Sequence, residues 1–107
     1  MTRAEFATRT KKFALAVIEA VENLPRTKAS DVVGNQLLRS ATSVAANYRA
    51  SCRARSRREF MAKMGIVEEE ADESQFWIAI LVGRGLMEKS KGPQSAIRNP
   101  QCSSTAS

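Results

Sequence analysis

Phe60, Met64, Val67, Ala71, Ser74, Ile78 and Leu81 recur at alternating steps of four and three. That spacing lays them along one stripe of an α-helix but scatters them over both faces of a strand, so only a helix can bury them together. Held over three heptads, it is the pattern that packs helices at the shallow angle of a bundle. Phe6, Thr10, Phe13, Val17, Ala20 and Leu24 follow the same alternation upstream, apolar except at Thr10. Val33, Leu37, Ala41, Val44, Tyr48 and Ser51 follow it in between. Three such stripes make the expected fold class all-α.

Punctuation between the stripes sets the expected helices at about 4–24, 30–54 and 57–83. Pro25 ends the first. After the short linker RTKA, either Ser30 or Asp31 is placed to accept from the free N–H groups at the start of the second. Links this short favour antiparallel neighbours. Ser40, Ala41, Ser43, Ala45 and Ala46 are small enough to let another helix come close. Ser56 and Glu59 have the spacing of a capping box, with the glutamate expected to reach back to the Ser56 N–H. Trp77 flanks the third stripe, and Gly83 and Gly85 are candidates for closing that helix in the left-handed conformation. Beyond Met87 the periodicity stops. Residues 88–107 hold two prolines, many serines and one large aliphatic, Ile97, so an irregular or disordered tail is expected after a helical domain of residues 1–87.

A chain of 107 residues is one small domain, and its formal charge of +6 favours polyanionic partners because neutralised phosphates release counterions. Histidine is absent, which removes the commonest general base, the commonest metal ligand and every Ser-His or Cys-His nucleophile. Cys52 and Cys102 are too few and too far apart for a disulfide framework or a zinc cluster. No enzymatic activity, cofactor or metal is expected. No apolar run approaches the roughly 20 residues of a membrane span. The apolar start is interrupted by Glu19 and Glu22, so a cytoplasmic chain with no membrane contact is expected.

The charges are segregated. Arg49, Arg53, Arg55, Arg57 and Arg58, with Lys63 beyond them, form a basic block that could contact RNA or DNA phosphates, or could be a solvated face pairing with acids of a neighbouring subunit. Glu68, Glu69, Glu70, Asp72 and Glu73 follow. They read as a charged outer face or intersubunit salt-bridge strip rather than a ferritin-like metal site, whose Glu-x-x-His pairs the chain cannot supply. Tyr48 could stack on a base between arginines, although its place on the apolar stripe favours a core role. Gln36, Arg39, Ser43 and Asn47 line up beside the second seam. They are either a ligand surface or a structural hydrogen-bond row in which Arg39 and Asn47 find partners across the bundle.

Read in order, Pro25, the run Gln36-Leu37-Leu38-Arg39-Ser40-Ala41-Thr42-Ser43-Val44-Ala45-Ala46-Asn47, then Ser56-x-x-Glu59-Phe60, then the run from Gly65 to Ser74 resemble the four-helix-bundle proteins encoded by intervening sequences of bacterial 23S rRNA genes. Those are in turn similar to the accessory variability determinant of diversity-generating retroelements. The resemblance spans about residues 6–87. It implies an antiparallel up-down bundle of the four-helix type, assembled as a homo-oligomer such as a pentamer, with no catalysis. In the retroelement branch it implies binding to nucleic acid and to a reverse transcriptase. Many members carry Asn-Ile-Ala-Glu-Gly where this chain has Asn47-Tyr48-Arg49-Ala50-Ser51. The fourth helix should follow Met87 with leucine-rich periodicity, which the tail lacks, as a frameshift or truncation would leave it. Three helices built for four are expected to leave an apolar groove exposed, so that the chain pairs with other copies, borrows a helix or tolerates marginal stability.

Two functions compete on this reading: a homo-oligomeric nucleic-acid-binding accessory factor working through its arginines, or a structural bundle docking an acidic protein partner.

Overall fold

Each helix begins at a hydroxyl side chain held in extended backbone. Thr2, Thr27 and Ser56 accept from the N–H groups of Glu5, Ser30 and Glu59 at 3.1, 3.2 and 3.1 Å, satisfying donors that a helix start leaves free. The computed structural model describes residues 1–88 and contains α1 (Arg3–Glu22), α2 (Lys28–Cys52) and α3 (Arg57–Gly83), with no strand among the described residues. The tail expected over 88–107 falls, Glu88 apart, outside the described residues.

Two caps differ from expectation. Thr27, not Ser30 or Asp31, caps α2. Once Thr27 takes the extended conformation the helix starts early, and Ser30 is carried inward, where it is 2% exposed with no hydrogen-bond partner for its hydroxyl. At α3 the Glu59 carboxylate accepts from the Arg55 N–H at 3.2 Å rather than from Ser56. A reciprocal capping box forms instead at Thr2 and Glu5.

Helix ends follow similar logic. Asn23 caps α1, its side-chain amide donating to the Glu19 carbonyl at 3.0 Å, two residues before Pro25. At the end of α3, Gly85 adopts φ 79°, and the Gly85 and Leu86 N–H groups donate to the carbonyls of Val82 and Leu81, each at 2.9 Å. This is a Schellman closure, and it requires a left-handed residue. Gly83 is the last residue of the helix, and Gly85 rather than Gly83 takes the left-handed conformation.

The core joins Phe13 and Val17 of α1, Leu37, Ala41, Val44 and Tyr48 of α2, and Val67, Ile78 and Leu81 of α3, all buried. Helix α2 lies between the others and packs on both, whereas α1 and α3 barely touch. Small residues set the spacing on both sides. A Cβ on Gly34 would sit 3.3 Å from both Leu24 Cδ1 and Val21 Cγ1, so α1 approaches as close as glycine allows. On the other side the buried Ser74 hydroxyl donates to Ser40 Oγ at 2.9 Å, and Ser40 donates to the Leu37 carbonyl at 3.1 Å. The assembly measures 44 × 29 × 18 Å, its long dimension matching the roughly 40 Å of a 27-residue helix at about 1.5 Å per residue.

The centre of the stripes is sealed, with Leu37, Ala41, Val44 and Ile78 0% exposed, whereas Phe6, Leu24, Val33, Phe60, Met64 and Ala71 are only half-buried. Large apolar side chains reach solvent at Met61, Ile66, Phe76 and Ile80 on the outer side of α3, at Leu15 of α1 and at Val32 of α2. Phe76 precedes buried Ile78 by two residues, about 200° around the helix, which turns it away from the core.

Candidate nucleic-acid interface

Antiparallel packing gathers charges that the sequence keeps apart. Near the start of α1, the Tyr48 hydroxyl of α2 donates to the Arg3 carbonyl at 3.4 Å, and the Phe6 and Tyr48 rings meet edge to face at 4.7 Å. Near the end of α1, Val21 and Leu24 meet Gly34 instead. The Arg3 guanidinium sits 5.3 Å from the centroid of the Phe60 ring at the start of α3. One end of the molecule therefore holds the start of α1, the end of α2 and the start of α3. Arg3, Lys11 and Lys12 join Arg49, Arg53, Arg55, Arg57 and Arg58 there, all exposed, and Lys63 lies half-buried farther along α3.

Opposing carboxylates at this end are already engaged. Glu5 closes the α1 box and Glu59 accepts from the Arg55 backbone. Among the described residues Arg49, Arg53, Arg55, Arg57 and Arg58 make no ion pair, so the end presents a concentrated positive field. Arginine guanidinium suits phosphate especially well because its planar fork donates two parallel hydrogen bonds.

The polar stripe of α2 divides by role. Arg39 bridges to α3, donating to Glu70 at 2.9 Å and to Glu73 through its other terminal nitrogen. Asn47 does not cross the bundle; its amide donates to the carbonyl and hydroxyl of Ser43 on its own helix, both at 2.9 Å. Gln36 is exposed. The cross-bundle hydrogen bond between hydroxyls belongs to Ser40 and Ser74, one register position deeper than the stripe that spacing alone singled out.

Of the acidic run, Glu70 and Glu73 face Arg39 of the same chain, while Glu68, Glu69 and Asp72 are exposed. No cluster among the described residues could hold a metal ion. The Trp77 indole N–H donates to Glu73 at 3.2 Å, and that bond, with the Arg39 contact, holds the Glu73 carboxyl below its ordinary value. The same carboxylates push the Arg39 guanidinium up, Glu73 most strongly. Tyr48 is 5% exposed, so its ring is part of the core and offers no face to a base. Burial, and then the neighbouring Cys52, push its phenol above the ordinary tyrosine value.

Spacing within single helices could not reveal the contribution of α1. The signal lay in the asymmetry of its charges, with Arg3, Arg9, Lys11 and Lys12 in the first half and Glu19 and Glu22 in the second. Combined with a short link that reverses the chain, that asymmetry places the basic half beside the arginines of α2.

No helix among the described residues is long and apolar enough to cross a membrane. No curated protein matches the chain. Among solved structures, a protein of unknown function from the S23 ribosomal protein family of Bacteroides thetaiotaomicron is similar at 27% identity and a TM-score of 0.80, over 91% of this chain and 86% of that one. The model of the 23S rRNA-intervening sequence proteins matches residues 3–98, and the chain belongs to that family.

Proposed function

We propose that this chain is a non-enzymatic, homo-oligomeric binding protein whose basic end takes hold of nucleic acid through the phosphate backbone. The observation that carries the reading is the convergence of Arg3, Lys11 and Lys12 with the arginine block, at an end whose two carboxylates are spent on capping. Exposed cations on rigid helix ends can replace the counterions condensed on a polyanion. The side chains at that end include no histidine and no acid–base pair, so they offer binding rather than catalysis. Oligomer formation is supported by the outward apolar surface of α3, where Ile66, Phe76 and Ile80 share one side of the helix.

Binding of fluorescent RNA and DNA of unrelated sequence, followed by anisotropy across a salt series, tests the nucleic-acid reading. Wild-type protein should bind each, with log affinity falling linearly against log salt. Replacing Arg53, Arg57 and Arg58 by alanine should lower the slope on duplex by about 3, close to 0.9 per phosphate contact. Absence of retention at low salt would overturn the reading and leave a bundle that docks an acidic protein surface.

A further inference from the structure

A cleft of about 530 Å³ runs between the first half of α1 and the last turns of α2, opening beside the arginine end. Its volume falls within the roughly 300–1,000 Å³ typical of small-ligand sites. Ala7, Ala45 and Ala46 give it an apolar lining, and Lys11 and Arg49 stand on opposite walls, one from each helix. Neither cation makes an ion pair among the described residues. Two lining hydroxyls are occupied: Thr10 donates to the Ala7 carbonyl at 3.0 Å and Tyr48 to the Arg3 carbonyl.

We propose that this cleft receives one unpaired nucleotide of a single strand, with the base against the alanines and the flanking phosphates on Lys11 and Arg49. The proposal rests on the nucleic-acid reading above and narrows it from any polyanion to one with free bases. A cavity that alternates cation, apolar surface and cation matches a chain alternating phosphate, flat base and phosphate. A duplex keeps its bases stacked inside and can offer only its phosphates. Because the lining hydroxyls are engaged, the cleft has little with which to read a base edge, so preference follows strandedness rather than sequence.

Anisotropy with a 12-nucleotide RNA, the same strand carrying consecutive abasic sites, and the corresponding duplex tests this. Wild-type protein should hold the intact strand more tightly than the abasic one, through the apolar contact of the base with the alanines. Ala46→Leu fills the cleft from an exposed helical position and should remove that difference while leaving duplex affinity within about twofold, since phosphate contacts are untouched. Arg49→Ala, also at an exposed position, should weaken the intact strand more than the abasic one. Equal affinity for intact and abasic strands overturns the cleft assignment while the basic end stands. So does an Ala46→Leu protein that binds single strands normally, or one that changes native mass instead and thereby marks the cleft as a contact between copies. Failure of wild-type protein to bind any of the three ligands overturns the underlying reading as well.

Discussion

Glu73 does several jobs with one carboxylate. It accepts from the Trp77 indole within α3 and from Arg39 across to α2, and both bonds favour its charged form. Its folded-state value lies below the unfolded one, so the stability it contributes is present above the unfolded value and is lost as pH falls through the folded one. Trp77 is the only tryptophan, which makes the titration directly visible. Its fluorescence should change with a midpoint below the ordinary glutamate value of about 4.3. In Glu73→Gln that change should vanish, and the acid limb of the thermal midpoint should flatten. An identical fluorescence titration in the variant would refute the assignment.

Helices here are defined as much by their first residues as by their apolar stripes. Thr27 fixes where α2 begins, and α2 is the helix on which both others depend. Thr27→Ala should cost about 1 kcal/mol in urea unfolding without changing the spectrum of the folded protein. A loss below a few tenths would mean that packing alone sets the start. Stripe positions such as Leu37, Val44 and Ile78 were legible in the sequence because period and burial are linked within a single helix. The cap was less legible, since Thr27, Ser30 and Asp31 can all accept and only the backbone entering from Pro25 chooses among them. The Ser40–Ser74 bond and the position of Lys11 opposite Arg49 were not legible. Both are facts of register between helices, and a stripe shifted by one turn would look the same on paper.

For the molecule as a whole, the exposed apolar side chains near the end of α3 and the arginine cluster lie apart. Ile66, Phe76 and Ile80 lie outward on α3 beside exposed Glu68, Glu69 and Asp72, while the cations crowd the arginine end. Light scattering on wild-type protein should give a mass of several chains. Phe76→Glu combined with Ile80→Lys should reduce it to a monomer that keeps its helical circular dichroism, because neither side chain is part of the core. A monomeric wild type would remove the case for assembly.

Because α2 is the common support and packs more extensively on α3, α1 is the member attached along one side. Its first residues are pinned by the Phe6–Tyr48 ring contact and by Arg3 resting on Phe60. Prising those apart would unzip α1 from its N-terminal side and split the positive end into two unequal halves. The fastening of α1 and the gathering of the cations at one end thus rest on the same few contacts.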